Sequence, residues 1–185
     1  NLTATGSKVY DAGTAFAGTN FSSITGVNNE TFTATGSGTL TSPNVQSAQT
    51  LQSLGTLSLV GVNGALPSNY HWTTANTSVS VTPRTLTVTG ANNTVTYNGA
   101  AQTNTGATIA GKQGNDDFSI SGYGSGTNAS NTAYADNLSV AAVGGTLLSN
   151  YSISYTQGGL TIGKANLTAT GSKVYDASTA FAGTN

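Results

Sequence analysis

Cysteine and methionine are absent from this chain of 185 residues, and histidine occurs once, as His71. Without cysteine the fold has no disulfides, no thiolate metal site and no thiol nucleophile. A single histidine excludes a pair of histidine metal ligands. An internal repeat aligns His71 with Ser152, so we interpret it as an outward-facing side chain next to a core residue, Trp72. We therefore expect no enzyme activity, no cofactor and no metal, and the missing methionine indicates a piece of a longer chain.

Charge is also scarce. Charged residues make up 6% of the chain and the net charge is −1, whereas about 25% of a typical globular domain is charged. There is no basic stripe for nucleic acid and no polybasic patch for a lipid surface. No run approaches the roughly 20 apolar residues of a membrane span, so we expect no membrane insertion. A composition rich in Thr, Asn, Ser and Gly is typical of extracellular repeat proteins.

A near-perfect repeat is the most informative feature that is present. Residues 1–20 reappear as residues 166–185, and the two copies differ only at Gly13 and Ser178. No folding requirement forces such identity at a distance of 165 residues, whereas duplication of a whole unit produces it. The chain therefore contains one full period of a tandem array and the beginning of the next.

The period itself divides into two diverged halves. Residues 54–90 align without a gap on residues 135–171, at an offset of 81. The opening motif Leu-Thr-Ala-Thr-Gly at residues 2–6 is matched by Leu-Thr-Val-Thr-Gly at residues 86–90. We predict domains at residues 1–83 and 84–164, with residues 165–185 opening the next one.

Each half has the pattern of several short strands. Thr and apolar residues alternate with period two, and Gly-rich turns follow every 8 to 12 residues or so, as in small β-sandwiches. Strands are expected at residues 54–62 and 70–72, and one turn of helix is the alternative for residues 45–54. We predict an all-β fold of small Ig-like sandwiches arranged end to end in a rod or filament, with a repeat of about 70–80 Å from strand rises near 3.3 Å.

The acidic residues are few and scattered. The adjacent pair Asp116 and Asp117 points to opposite faces of a strand, so it does not form a glycosidase pair. A calcium site around these two and Asp136 is an alternative. An isopeptide bond between Lys8 and a buried Asn beside Glu30 is a further hypothesis, and glycosylation is another. The Asn-x-Ser/Thr triplets begin at Asn1, Asn20, Asn29, Asn76, Asn92, Asn128, Asn137, Asn150 and Asn166.

Three short motifs in order in each half carry a family resemblance, and the third of each set is Val-Ser-Val-Thr-Pro at residues 79–83 and Leu-Thr-Ile at residues 160–162. Lys-Val-Tyr-Asp-Ala at residues 8–12 and again at 173–177, with Leu-Pro-Ser-Asn-Tyr at 66–70, resembles the YDG-type repeat. Tyr-Asn-Gly at residues 97–99 and Ser-Asn-Tyr at 149–151 are similar to the MBG-type repeat. The usual Gly after Asp11 is Ala12, which suits a type I′ turn poorly, so the turn is expected to use Gly13.

Repeats of these two types alternate in large bacterial surface proteins, including filamentous-haemagglutinin-like adhesins. The resemblance implies a secreted structural stalk at the bacterial cell surface, associated with adhesion or biofilm matrix, and it carries no catalytic residues. The partners would be neighbouring repeats or other copies in a filament. The alternatives are a binding module for surface glycan or host protein, and an accessory domain of a carbohydrate-active enzyme. The expected packing anchors are Tyr10, Tyr70, Trp72, Tyr97, Tyr151 and Tyr175.

Overall fold

The computed structural model describes residues 1–183. Within that range it contains strands and short 3-10 turns but no α-helix, so the prediction of an all-β fold is confirmed. No helix in this part of the chain is long and apolar enough to cross a bilayer.

The first group of strands, unit 1, occupies residues 3–82. Its strands are β1 (Thr3–Val9), β2 (Ala15–Ala17), β3 (Phe21–Thr25), β4 (Phe32–Thr35), β5 (Ser37–Thr39), β6 (Gln46–Gln49), β7 (Ser58–Gly61) and β8 (Thr77–Thr82). One sheet has the order β3-β1-β8-β6, and β2-β5 and β4-β7 form two antiparallel pairs.

The second group, unit 2, occupies residues 84–163. Its strands are β9 (Arg84–Thr89), β10 (Asn92–Thr96), β11 (Gln102–Thr103), β12 (Thr108–Ala110), β13 (Asp117–Ser121), β14 (Ser125–Gly126), β15 (Tyr134–Ala135), β16 (Ser139–Val143), β17 (Tyr151–Thr156) and β18 (Gly159–Gly163). Its sheets have the orders β12-β9-β17 and β10-β18-β15, and β11-β14 and β13-β16 are antiparallel pairs.

The two units pair their strands in the same register. In unit 1 Phe32 lies opposite Gly61, and in unit 2 Phe118 lies opposite Ala142. The internal alignment equates Gly61 with Ala142. The opening segments make the same two kinds of pair. β1 pairs antiparallel with β3 and parallel with β8. In unit 2 two strands share these pairings, since β9 pairs antiparallel with β12 and β10 pairs parallel with β18. The duplication seen in the sequence is therefore also a duplication of topology.

Alternation of apolar and polar residues explains why these segments are strands. Leu86 and Val88 of β9 are fully buried, while the residues between and beside them are partly or wholly exposed. In β8 the inward positions include Val79 and Val81, which are also buried. A strand whose side chains alternate between core and solvent satisfies its backbone in a ladder and its apolar residues in the core.

Three local predictions were wrong. The segment 45–54 contains no helical turn, because Gln46–Gln49 form β6 against β8. The strand predicted for residues 54–62 is shorter, Ser58–Gly61, since Gly55 adopts a left-handed backbone in the turn before it. Residues 70–72 form no strand, although the aligned segment of unit 2 is β17.

The C-terminal segment, residues 164–183, has no strand. All of its residues except Lys173 are exposed. Leu167 is 95% exposed and Tyr175 is 89% exposed, whereas the identical residues of the N-terminal copy, Leu2 and Tyr10, are each 4% exposed. The same sequence is therefore packed in one place and unpacked in the other.

Candidate functional site: the joint between the two units

A tyrosine–carboxylate pair lies at the end of unit 2 that faces unit 1. The Tyr151 hydroxyl donates to Asp116 Oδ2 at 2.6 Å and accepts from the Gln113 backbone N–H at 3.1 Å. The Tyr151 ring packs edge-on against Phe118, with centroids 5.1 Å apart. Tyr151 lies at the start of β17 and Phe118 lies in β13, so two different strands fix the pair.

Unit 1 contains the same arrangement around Tyr70, which the internal alignment equates with Tyr151. The Tyr70 hydroxyl donates to the Glu30 carboxylate and accepts from the Val27 backbone N–H at 2.8 Å. The Tyr70 ring packs edge-on against Phe32, with centroids 5.0 Å apart. Each unit therefore has its own tyrosine–carboxylate pair supported by one phenylalanine.

Tyr10 of unit 1 joins the pair of unit 2. Its hydroxyl donates to Asp116 Oδ2 at 2.8 Å, and its ring contacts the Tyr151 ring edge-on with centroids 5.4 Å apart. Its backbone N–H donates to the carbonyl of Thr82 at 2.9 Å, which fixes it beside the end of β8. One carboxylate oxygen thus accepts hydrogen bonds from two phenols, one in each unit.

A second polar contact crosses the joint through Asn150. Its Oδ1 accepts from the Val45 backbone N–H at 2.9 Å, and its Nδ2 donates to Asn44 Oδ1 at 3.0 Å. Asn150 is only 1% exposed. A glycan on this amide would remove a buried donor and displace unit 1, so the folded chain excludes Asn150 as a glycosylation site.

An apolar core is continuous across the joint. Tyr10, Val79 and Val81 of unit 1 belong to the same buried cluster as Leu86 and Tyr151 of unit 2. Burial of apolar surface stabilises by about 25 cal/mol per Å². The two units therefore share core residues, in addition to the hydrogen bonds between them.

Burial and hydrogen bonding shift the ionisation of these tyrosines. The pKa of Tyr10 and that of Tyr151 are raised, first by burial and then by the hydrogen bond to Asp116. The pKa of Tyr70 is raised first by its hydrogen bond to Glu30. These phenols therefore keep their protons into the alkaline range, and Tyr10 and Tyr151 remain hydrogen-bond donors to Asp116 at the joint.

The Tyr-Asp-Ala motif forms a turn around Lys8. The Lys8 ammonium is 2.6 Å from Asp11 Oδ1 and donates to the carbonyls of Gly13 and Ala15 at 3.0 and 2.8 Å. Ala12 takes the left-handed conformation with φ of 62°. The expected use of Gly13 for this role is wrong, because Lys8 and Asp11 hold the turn with Ala12 in it.

The proposed isopeptide trio is not assembled. The Lys8 ammonium lies in the turn with Asp11, and the Glu30 carboxylate accepts from Tyr70. Burial opposes the charged form of Asp11, but its hydrogen bonds from Lys8 and Gly13 outweigh this and lower its pKa. Lys8 therefore acts as a cationic turn residue.

Unit 2 contains a buried polar network that the sequence did not predict. Asp136 Oδ1 accepts from the Gly124 backbone N–H at 2.7 Å and from Asn104 Nδ2 at 3.0 Å. Asn104 Nδ2 also donates to the carbonyl of Ala91 at 2.8 Å, and Asn104 Oδ1 accepts from Asn93 at 2.7 Å. Asp136 and Asn104 are 6% and 1% exposed. A single Asp and a single Asn in polar stretches carry no signal of this burial.

The remaining predicted anchors are placed differently from one another. Trp72 is partly buried and packs edge-on against Phe21 at 5.7 Å, while His71 is exposed beside it. Tyr97 is 41% exposed and Tyr175 is 89% exposed. Neither of these two is packed in this structure, so their role as anchors stays a prediction that requires a further partner.

The acids of the suggested calcium site are engaged separately. Asp116 holds the two tyrosines of the joint, Asp136 lies in the buried network, and Asp117 accepts from the Lys112 ammonium at 2.9 Å. The hydrogen bond from Lys112 lowers the pKa of Asp117. No group of three or more His, Cys, Asp or Glu residues within residues 1–183 is arranged to hold a metal ion.

The N-terminal side of the joint matches a known family. Residues 1–78 match the YDG domain model. This segment includes the Lys8 turn, Tyr10 and the Tyr70–Glu30 pair, and it ends inside β8. The resemblance of unit 2 to the MBG-type repeat stays a prediction. No curated protein and no solved structure matches the chain.

Proposed function

We propose that this chain is a structural segment of a bacterial extracellular adhesin or surface filament built from tandem β repeats. Residues 1–83 and 84–164 would be successive Ig-like sandwich domains, and residues 165–185 the beginning of the next. The function of such a segment is to provide length and stiffness, so that a binding region is carried away from the cell surface.

The observation that carries this proposal is the joint. β8 ends at Thr82 and β9 begins at Arg84, so only Pro83, with its fixed φ, separates the two units. Bending at this point would expose the buried Tyr10 and Asn150 and break their hydrogen bonds. A short junction and a shared core both resist bending.

The composition and the family match support the proposed extracellular location at the bacterial cell surface. The YDG match at residues 1–78 covers most of unit 1, and repeats of that type resemble those of large bacterial surface proteins. The low charge, 6% of residues, is typical of extracellular repeat proteins.

Stiffness is tested by distance measurements between two spin labels. The chain has no cysteine, so Ser23→Cys in unit 1 and Ser119→Cys in unit 2 provide two exposed labelling sites. We expect a single narrow distance distribution. Adding Tyr10→Ala should broaden it, whereas His71→Ala, at an exposed position away from the joint, should leave it unchanged. A broad distribution in the labelled protein without further changes would contradict the stalk.

Surface location is tested separately with an antibody raised against the chain. Labelling of intact source cells is the expected result. Labelling that appears only after lysis would contradict an extracellular role.

A further inference from the structure

The joint between the two units is made by one face of each unit. On unit 1 the tyrosine face consists of Tyr10, Asn44 and Val45, and on unit 2 the carboxylate face consists of Asp116, Asn150 and Tyr151. The phenol of the first face bonds to the carboxylate of the second, and the asparagine segment of the first bonds to the asparagine of the second. Each face therefore has one group for each polar contact.

Unit 2 has a tyrosine face of its own. The Tyr97 backbone N–H donates to the carbonyl of Gly163 at 2.8 Å, at the end of β18, and the Tyr10 N–H donates in the same way to Thr82 at the end of β8. Tyr97 therefore stands in unit 2 where Tyr10 stands in unit 1. Tyr97 is 41% exposed, whereas Tyr10 is 4% exposed.

The asparagine segment of this face is matched as well. Ser130 bonds to β18 through its backbone N–H, in the place where Gln46 pairs with β8 in unit 1. The two residues before Ser130 are Asn128 and Ala129, and both are exposed. They take the places of the two residues before Gln46, which bond to Asn150 across the existing joint. The asparagine is the same in both units, and alanine replaces valine beside it.

A groove on unit 2 corresponds to the apolar part of the joint. It is lined by Tyr97, Ala129 and Leu167 among others. Their counterparts lie in or against the one buried cluster that crosses the existing joint, and they are Tyr10, Val45 and Leu86. That cluster also includes the Tyr151 ring of the carboxylate face. The groove therefore has the residues that pack against one tyrosine ring of a neighbouring unit.

Unit 1 has a carboxylate face of its own. The Tyr70 hydroxyl donates to the Glu30 carboxylate, which repeats the bond that Tyr151 makes in unit 2. Asn69 precedes Tyr70 in the sequence as Asn150 precedes Tyr151. Asn69 is exposed, whereas Asn150 is 1% exposed. All three groups that the carboxylate face of unit 2 uses at the joint are therefore present on unit 1.

We propose that the tyrosine face of unit 2 binds the carboxylate face of a domain with the sequence of unit 1. In this contact Tyr97 donates to the Glu30 carboxylate, and Asn69 bonds to Asn128 and Ala129. In a tandem array this domain is the one that the repeated opening sequence begins. The proposal rests on the stalk function and deepens it, because successive joints of the array then use the same contacts.

The connection after unit 2 favours a domain of this type as the partner. The Leu-Thr-x-Thr-Gly motif begins four residues after the last residue of the closing strand in both places, at Leu86 after Thr82 (86 − 82) and at Leu167 after Gly163 (167 − 163). Four residues span at most about 14 Å. The domain that follows unit 2 therefore begins beside the tyrosine face, and its opening sequence is that of unit 1.

The contact is tested in a two-period protein, which continues this chain with a further copy of residues 21–164. Residues 166–185 repeat residues 1–20 except at Ser178, so the addition extends the array without a foreign connector. Spin labels at Ser119→Cys in the first period and Ser23→Cys in the second period report the new joint. We expect a single narrow distance distribution. A broad distribution would overturn the proposed contact.

Matched substitutions show whether these residues make the joint. Tyr97→Ala in the first period should broaden the distribution, and so should Glu30→Ala in the second period. Glu30→Ala in the first period is the control, because it makes the same change within a unit that lies away from the new joint. Equal effects of Glu30→Ala in the two periods would overturn the assignment of Glu30 to the contact.

Hydrogen exchange gives a readout for a single bond. The Ala129 N–H takes the place of the Val45 N–H, which donates to Asn150 in the existing joint. In the two-period protein the two copies of Ala129 should exchange at rates about tenfold apart, the slower in the first period, which corresponds to about 1.4 kcal/mol. Gly145, in the exposed turn after β16, is the control and should exchange equally in both periods. Equal rates for the two copies of Ala129 would overturn the asparagine contact.

The outcomes separate this contact from the stalk function. If the distance across the existing joint is narrow and that across the new joint is broad, the stiff segment stands and the proposed contact fails. If the new joint is narrow and the existing joint is broad, the contact stands and the stiffness proposed for residues 1–164 fails.

Discussion

Unit 1 has Gly18 and Gly55 where unit 2 has Asn104 and Asp136, although the strands around them pair in the same register. The Gly18 N–H donates to the carbonyl of Gly36, and the Asn104 N–H donates to the carbonyl of Gly124 in the equivalent turn. In unit 1 the backbone segments pack directly against each other at this point. In unit 2 an amide and a carboxylate fill the space and bind the backbone.

Two extra residues in unit 2 explain the difference. The turn of unit 1 passes directly from Gly36 to Ser37, whereas Tyr123 and Gly124 are inserted at the equivalent point of unit 2. The longer turn leaves the Gly124 N–H without a strand partner, and Asp136 accepts it. Buried backbone donors have to be paired, so an insertion in one turn is accompanied by polar residues in the interior.

The units differ again before their closing strands. In unit 1 residues 74–76 form a 3-10 turn, in which the Thr73 backbone N–H donates to Asn76 Oδ1. In unit 2 the first two of the aligned residues, Tyr155 and Thr156, belong to β17, which pairs with β9. Trp72 packs against Phe21 at this place in unit 1. The ladders shared by both units therefore tolerate different local structures around them.

The largest effect is expected from Asp136→Ala, which should lower the free energy of unfolding by about 3 kcal/mol. The change leaves the Asn104 amide and the Gly124 N–H buried without this acceptor, at about 1–3 kcal/mol for each unpaired group. Urea unfolding measures it, with the exposed Asp117→Ala as the control. Equal effects of the two changes would mean that unit 2 does not depend on its polar network.

Gly122→Ala and Gly36→Ala should each lower the free energy of unfolding by about 2–3 kcal/mol, because each unit requires a glycine at this turn. The backbone is left-handed at both, and an added Cβ would overlap the carbonyl oxygen of Asn137 or that of Thr56. Gly64→Ala is the control for backbone strain alone, since Gly64 has φ of +86° and an added Cβ there would meet no atom within 4 Å. Urea midpoints should rank Gly64→Ala as the mildest change; a tolerated Gly36→Ala would show that the two turns are not equivalent.

Tyr151→Phe should destabilise the chain by about 1.5 kcal/mol, and Tyr70→Phe by less. Both lose a hydrogen bond to a carboxylate, but Tyr151 is buried in the joint while water reaches Tyr70. Urea unfolding of the two variants measures the difference. A larger loss for Tyr70→Phe would show that the joint adds nothing to the pair of unit 2.

The smallest effect is expected from alkaline pH. Burial and the bond to Asp116 raise the pKa of Tyr10 and Tyr151, whereas tyrosine in an unfolded chain titrates near 10. The folded state thus holds these protons more tightly, so their stabilisation is complete below about pH 10 and is lost as the pH rises through the folded values. The urea midpoint should fall as the pH rises above about 10, and it should fall less in the double variant Tyr10→Phe with Tyr151→Phe. An identical fall in both proteins would contradict this.

The strand pattern and the duplication follow from the sequence alone. Alternation along β8 and β9 identifies their buried faces, because a strand turns successive side chains to opposite sides. The offset of 81 also aligns Tyr70 with Tyr151. Both signals are local or repetitive, so they are visible without coordinates. The same offset does not align Glu30 with Asp116, which are 86 residues apart (116 − 30), so the matched tyrosine–carboxylate pairs appear only in the structure.

Other features depend on residues far apart in the chain or on side chains that hold a turn. Ala12 takes the left-handed conformation because Lys8 and Asp11 fix the turn around it. Asp136 is buried because a distant turn leaves a backbone donor to satisfy. Neither outcome can be read from the residue types alone. The partner of Asp136 is not its neighbour in sequence, and Ala12 stands where glycine is the more usual turn residue.

The opening repeat separates the two kinds of information. Tyr10 is buried and Tyr175 is exposed with the same neighbours in sequence, since burial requires the Asp116–Tyr151 pair of a following unit. The strands, their repeat and the tyrosine motif are properties of the sequence. Which tyrosine is packed is a property of the tertiary structure alone, because packing depends on the surface that lies opposite.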